Sequence, residues 1–344
     1  MKILFVKLGS IGDIVHTLPV LAAVRSQLPD AEIGWVAEKG SAEILRGNPM
    51  IDGLIEVDTR ALRRKRQMSG LLPAIREQLK TVRRHRYDIA IDFQGLIKSA
   101  IIAKLSGARE RFGFAKGSLR EPAGRIFLTR TVEIPPGLHV IRKNLMLAET
   151  ALGIRTDDIP IEFPICSTVS AISEAETLVQ KMGGRFAILN PSGAWVTKLW
   201  SAENFGRLAD ILLDRHGLAT VVPLGPRDAP LGNAVAAASQ TARPVLARIS
   251  LMGFYQLARR ASIYVGGDTG PTHLAVAAGA PTVGIFGPTE WWRNGSIDPT
   301  DICVERTDIG CRENCHRRTC SNWICMDIDV EAVASAVAQR ISKV

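Results

Sequence analysis

Apolar and polar positions fall into repeating blocks. Short aliphatic runs close on a polar or glycine-containing turn and are followed by stretches with helical spacing. Ile3–Val6 predicts a first strand, the turn Gly9 to Asp13 leads into a helix through about Gln27, and Glu32–Val36 predicts the next strand. A helix near Ser41–Arg46, a strand Leu54–Val57, a basic loop and helix from Arg60 to Arg86, a strand Ile89–Ile91 and a helix near Ser99–Leu105 continue the alternation. Residues 153–170, with Thr156-Asp157-Asp158, Pro160 and Pro164, read as a linker. The second half opens with a helix near Ser173–Met182, where Ser173 and Glu176 have capping-box spacing. Strand Phe186–Leu189, loop Asn190–Thr197, helix Ala202–His216, strand Ala219–Pro223 and loop Gly225–Asp228 follow. A helix near Gly253–Arg259, strand Ala261–Val265, helix Thr272–Ala278, strand Thr282–Phe286 and an amphipathic last helix, Val330–Ile341, complete the pattern. Repeated β-α units predict doubly wound parallel sheets. Two such halves predict a ligand cleft between the carboxyl ends of their strands.

Length agrees with that division, since 344 residues suit two domains of about 150 each. An apolar fraction of 46% with 22% charged residues is globular, and no run is long enough to predict a membrane span. The opening MKILFVKLGSIGD lacks a small-residue cleavage site and reads as a strand, so a cytoplasmic protein is expected. In that compartment its six cysteines are expected as thiols or metal ligands. Charge changes the picture more than composition does. Residues 1–150 carry a net +10 and residues 151–344 a net −1. Between Arg60 and Arg86 the cations are interrupted by one carboxylate, Glu77. Such a half suits a polyanion: nucleic acid, an anionic membrane surface or a phosphorylated substrate. Stacking aromatics are missing there apart from Tyr87 at the edge, which argues against nucleic acid.

Candidate chemistry concentrates at predicted strand ends. Gly266 to Thr289 reads GGDTGPTHLAVAAGAPTVGIFGPT, with an acid, hydroxyls and a histidine where a strand turns into a helix. Free N–H groups and the helix dipole at such a corner favour an anion, and the Thr269 hydroxyl and His273 can reach it, with Asp268 and Gly270 in the same turn. The plainer alternative is an ordinary strand–helix corner with a satisfied histidine. Gly9-Ser10-Ile11-Gly12-Asp13 lacks the G-x-G-x-x-G spacing of a dinucleotide site; its Asp13 is either a helix cap or a general base. Asn190-Pro191-Ser192-Gly193 with Lys198 offers N–H groups, a hydroxyl and a cation to a diphosphate. Asp92 to Lys98, including Gln94, and the loop Gly225 to Asp228 are further polar strand ends that suit either solvent or a ligand. Cys311, Cys315, Cys320 and Cys325, with His316 beside them, have C-x3-C-x4-C-x4-C spacing. Four thiols can form a structural zinc site, although these gaps are wider than a two-residue knuckle; free thiols are the alternative.

These residues carry a family resemblance. Gly267-Asp268-Thr269-Gly270-Pro271-Thr272-His273, Phe286-Gly287-Pro288-Thr289 and the opening VKLGSIGDIVHTLPVL resemble the ADP-heptose:lipopolysaccharide heptosyltransferases, glycosyltransferase family 9. DFQGLIKSA at Asp92 to Ala100, Arg120-Glu121-Pro122 and Lys198-Leu199-Trp200 are similar to its heptosyltransferase I branch. The resemblance covers essentially the whole chain. It implies a GT-B fold, two Rossmann-like domains facing across a cleft. Residues 1–165 would bind the acceptor, 166–328 the ADP-sugar donor, and 329–344 would form a helix crossing back to the first domain. It implies inverting transfer of L-glycero-D-manno-heptose from ADP-heptose to the Kdo of Kdo-lipid A in the lipopolysaccharide inner core. The other readings are a family 9 enzyme acting on a later core heptose or another acceptor, and a nucleic-acid-binding module.

Roles follow from the matched positions. Asp13 would be the catalytic base, and Lys198, Ser192 and Gly193 would hold the diphosphate. Asp268, Thr269, Gly270 and His273 would bind donor heptose and phosphates, with Asp228 and Ile249 near ribose and adenine. Gly12, Arg60, Arg63, Arg64, Arg66, Gln94, Lys98 and Arg120 would face the acceptor. Paired acids around one loop are missing, so fixed cations and backbone dipoles are expected to replace a divalent metal, with no cofactor required. The implied location is the inner face of the cytoplasmic membrane of a Gram-negative bacterium, peripheral on its anionic surface.

Overall fold

A computed structural model describes residues 1–59, 82–119, 121–311, 315 and 317–343. Arg60, Arg63, Arg64, Arg66, Arg120 and His316, singled out above, lie outside the described residues. The apolar runs pair as two six-stranded sheets, all parallel, in two compact units, Met1–Cys166 and Ser167–Val344.

In the first unit β1 (Lys2–Val6), β2 (Glu32–Glu38), β3 (Gly53–Val57), β4 (Ile89–Asp92), β5 (Glu110–Phe114) and β6 (Arg130–Val132) lie in the order β3-β2-β1-β4-β5-β6. The order reverses between β1 and β4, whose register pairs Val6 with Asp92. Ligands of doubly wound sheets sit beyond the strand ends at that reversal. β1 and β2 are buried nearly end to end, as strands covered on both faces must be. The predicted helix through Gln27 divides into α1 (Ile11–Val15) and α2 (Leu18–Gln27). Pro19 lies in the first turn of α2, where its missing N–H costs no intrahelical bond. The predicted helix near Ser41–Arg46 is a single 3-10 turn, Ala42–Leu45. α3 (Ile97–Leu105) and α4 (Val140–Leu152) follow β4 and β6.

The second unit repeats the topology. It contains α5 (Val169–Met182), β7 (Phe186–Asn190), α6 (Ala202–His216), β8 (Ala219–Leu224), α7 (Ala229–Ala238), β9 (Val245–Arg248) and α8 (Leu251–Ala258). β10 (Ile263–Gly267), α9 (Gly270–Ala277), β11 (Thr282–Phe286), α10 (Trp291–Asn294), β12 (Ile302–Glu305) and α11 (Val330–Ile341) follow. The sheet order is β12-β11-β10-β7-β8-β9, with its reversal between β7 and β10. α5 begins a turn before the predicted start. Thr168 is its cap, its hydroxyl accepting from the Ala171 N–H at 3.2 Å, and Ser173 lies inside the helix. α11 packs within this unit: Val330, Val333, Ala334 and Val337 join the core that includes Phe205, Leu212, Val283 and Ile285. Trp200, 2% exposed, locks the helix entry to that core, donating from Nε1 to the Ile328 carbonyl at 2.8 Å.

Candidate active site

Each sheet gathers polar side chains at its reversal point. In the first unit the chain leaves β1 through Lys7 and Leu8, and Gly9 turns it with φ +145°, a conformation that suits glycine. A side chain there would also collide with Ser41, whose Oγ lies 2.7 Å from the place of a Cβ. Gln94, beyond β4, holds the turn by accepting from the N–H groups of Leu8 (3.0 Å) and Gly9 (3.2 Å) through Oε1. Asp13, three residues into α1, reaches back so that its Oδ2 accepts from the Ser10 N–H at 2.7 Å and the Ser10 hydroxyl at 3.1 Å. Its Oδ1 lies 3.5 Å from Lys7 Nζ, and the carboxylate keeps 35% of its surface exposed. Burial alone would raise this carboxyl; the Lys7 charge and the Ser10 donors outweigh it and hold the group below the usual carboxylate range. Capping and an ionised, reachable carboxylate therefore coexist in Asp13.

Behind it, Asp92 is fully buried, accepting from the N–H groups of Gln94 (2.9 Å) and Gly95 (3.2 Å) and from the Ser99 hydroxyl (2.9 Å). Burial dominates those donors and pushes its carboxyl up to about 6. Lys98 is engaged within the unit: its Nζ donates to Glu38 at 3.2 Å and to the Thr59 hydroxyl at 3.1 Å. Gly12 is buried within α1.

The second unit builds its cluster around Asp268. Beyond β10, this side chain is 5% exposed and has three donors. Lys198 Nζ meets Oδ2 at 2.5 Å, while His273 Nε2 and Asn294 Nδ2 meet Oδ1 at 3.1 and 2.7 Å. Burial would raise the carboxyl, but His273 and then Lys198 hold it far below the ordinary range. Lys198 also donates to the Asp268 carbonyl at 3.2 Å and covers the Trp195 ring at 4.3 Å. Gly267 lets strand and turn approach, since a Cβ there would stand 2.9 Å from the Lys198 carbonyl oxygen. Thr269 is the cap residue of α9, followed by Gly270 and Pro271. Asn190, ending β7, donates to the Thr269 hydroxyl at 3.2 Å. The buried Ser192 Oγ has no hydrogen-bond partner among the described residues, which leaves a donor for a ligand. Gly193 packs close to Thr269 and Leu199.

Two other candidates belong to neighbouring loops. Asp228 turns inward, its Oδ2 accepting from the Gly225 N–H at 3.0 Å, so the carboxylate closes its own loop. Ile249 precedes Ser250, the cap of α8, which is tied to Glu174 of α5 through its N–H at 2.9 Å. The four clustered cysteines line one small cavity with Thr197 and Pro288 and form no disulfide. Among the described residues no three His, Cys, Asp or Glu side chains stand close enough to hold a metal ion. This cysteine segment grips the Lys198 turn: Trp323 Nε1 donates to the Thr197 carbonyl at 3.0 Å, and the Thr197 hydroxyl to the Arg317 carbonyl at 2.6 Å. Lys7 and Asn294 escaped the candidate assignments above, and Asp92 was named only as the start of a polar strand end. Lys7 did leave a signal, as a cation inside the apolar run ILFVKL; Asn294, 26 residues from its partner, left none.

Comparisons with known proteins agree with one another. Residues 75–324 match the model of glycosyltransferase family 9 (heptosyltransferase). The lipopolysaccharide heptosyltransferase 1 of Pseudomonas aeruginosa is 29% identical over 327 residues, covering 93% of this chain and 88% of the relative. The solved structure of E. coli heptosyltransferase WaaC with ADP superposes with a TM-score of 0.75 at 25% identity, covering 88% of this chain and 93% of that one. A family 9 glycosyl transferase from Veillonella parvula gives a TM-score of 0.84 at 21% identity over 100% and 98% of the two chains.

Proposed function

The chain belongs to glycosyltransferase family 9, the heptosyltransferases, and on that premise we propose that it moves L-glycero-D-manno-heptose from ADP-heptose to the Kdo of the lipopolysaccharide inner core with inversion. It is a heptosyl-transferring enzyme of GT-B architecture, similar to lipopolysaccharide heptosyltransferases across nearly its whole length. The finer reading rests on one observation above the others. The two reversal points carry complementary groups, an ionised reachable carboxylate at Asp13 and the Lys198 ammonium, held with His273 on Asp268, beside the start of α9.

Asp13 takes the proton of the acceptor hydroxyl, whose oxygen attacks the anomeric carbon of the donor. The departing ADP leaves with the electron pair of its sugar bond. Lys198, the Ser192 hydroxyl and the N–H groups at the start of α9 stabilise the negative diphosphate; fixed donors need no reorganisation as charge develops. Asp268 holds Lys198 and His273 in place. Arg60, Arg63, Arg64, Arg66 and Arg120 serve the lipid A phosphates and the anionic membrane surface. Among the described residues no helix is long and apolar enough to cross a membrane, and we assign the enzyme to the inner face of the cytoplasmic membrane as a peripheral protein.

Incubation with ADP-heptose and heptoseless lipopolysaccharide tests the assignment. The expected result is release of ADP and an acceptor heavier by one heptose, linked with inverted anomeric configuration. Transfer only to an acceptor that already carries a core heptose would move the enzyme to a later step. Transfer with retention would remove Asp13 from its role.

A further inference from the structure

Lys7 takes no part in the chemistry above, yet it is 4% exposed. A buried ammonium is costly unless paired and hydrogen-bonded. Its Nζ donates to the Phe93 carbonyl at 2.8 Å, which pins the charge over the end of β4, and stands 3.5 Å from Asp13 Oδ1. The two oxygens of Asp13 are therefore inequivalent. Oδ2 accepts both Ser10 donors, whereas Oδ1 faces the Lys7 charge beyond close hydrogen-bond distance and keeps lone pairs available. We propose that Lys7 is the positioning residue of Asp13: with Oδ2 taken up by Ser10, its buried ammonium, fixed on the Phe93 carbonyl, holds the carboxylate so that Oδ1 is presented to the acceptor hydroxyl. The inference rests on Asp13 being the base.

In the step, the acceptor O–H bond breaks and its proton goes to Oδ1. The oxygen's electron pair forms the new bond to the anomeric carbon, and the ADP–heptose bond breaks with its pair on the diphosphate. The proton then leaves Oδ1 for solvent, which restores the carboxylate for the next turnover. Two further carboxylates face this end of the sheet. Asp92, at the end of β4, is taken up by Gln94, Gly95 and Ser99; Glu38, at the end of β2, is taken up by Lys98 and Thr59.

The test measures kcat/KM against pH with ADP-heptose and heptoseless lipopolysaccharide for wild type, Lys7→Met, Lys7→Arg, Asp13→Asn and Asp92→Asn. Lys7→Met should lower kcat about ten- to a hundredfold, as loss of orientation does, with the donor KM little changed. Its acid limb should move up by about 1–3 pH units, because the carboxyl has lost an adjacent opposite charge. Lys7→Arg should restore the wild-type limb. A Lys7→Met limb that stays in place, or an equal displacement in Lys7→Arg, overturns the proposal. So does an acid limb that disappears in Asp92→Asn. Wild-type activity in Asp13→Asn would bring down the base assignment itself, a separate outcome. Should Lys7→Met not fold, Lys7→Gln, which can still donate to the Phe93 carbonyl but carries no charge, decides by 13C NMR of the Asp13 carboxyl carbon: a midpoint above that of wild type supports the pairing, and an unchanged midpoint overturns it.

Discussion

The two reversal points are one topology put to opposite uses. Both sheets follow the same order outward from their first strand, and both place an aspartate just beyond one of the central strands. Asp13 retains 35% of its surface, with Oδ2 hydrogen-bonded and Oδ1 facing a cation. Asp268 retains 5% and is saturated by a lysine, a histidine and an asparagine. An acid with an accessible lone pair can accept a proton; one whose oxygens are filled can only hold its donors still. In the proposed mechanism, burial and donor count, rather than residue type, separate the base from the anchor.

The sharpest break in that comparison is Asp13→Asn. It keeps the size and much of the capping ability but cannot take a proton, so kcat should fall at least about a hundredfold with the melting temperature near wild type. Activity within a few-fold of wild type would reduce Asp13 to a cap.

Asp268→Asn should act the other way, on stability first. It leaves Lys198 and His273 without their carboxylate, and breaking a buried pair by removing one partner costs about 3–5 kcal/mol. Because the folded carboxyl is held below its unfolded value, its contribution is present above about pH 4 and fades as pH falls below that toward the low folded value. Thermal melts of the two proteins should therefore differ most at neutral pH and converge in acid. An unchanged gap across that range would deny the anchor role.

A smaller effect of opposite sign belongs to Asp92. Its folded carboxyl is raised to about 6, so the stability it contributes is complete below about pH 4 and is lost as pH climbs through 6. Asp92→Asn should flatten that decline, worth on the order of 1–3 kcal/mol, in melts taken between pH 4 and 7. A decline as steep as that of wild type would place the titration elsewhere.

Much of this was legible in the chain. Ala202–His216, Thr282–Phe286 and Val330–Ile341 form with the predicted bounds, because their apolar positions keep a clean helical or continuous-strand pattern. Short or compositionally flat elements were not. β6 has three residues, with Arg130 exposed, and α7 is a run of small residues, buried at Gly232 and Val235 without a clear stripe. The capping-box spacing of Ser173 and Glu176 misplaced the start of α5, because local spacing competes with a better cap at Thr168. At the sites, strand-end position revealed Asp13, Lys198 and Asp268 one at a time. Their pairings were hidden, since Lys198 and Asp268 are 70 residues apart and meet only through sheet register. The pairing of Lys98 is likewise a tertiary fact, whereas the bond of Asp228 to the Gly225 N–H lies within one loop.

The division between base and anchor is tested most directly by titrating ADP, by calorimetry, into wild type, Asp13→Asn and Asp268→Asn under one buffer and salt. Asp13→Asn should bind ADP with the wild-type Kd while failing to turn over. Asp268→Asn, folded at the temperature used, should bind about tenfold or more weakly, as expected when a held cation loses its place beside a phosphate. Equal weakening in both variants, or wild-type affinity in Asp268→Asn, would contradict the account.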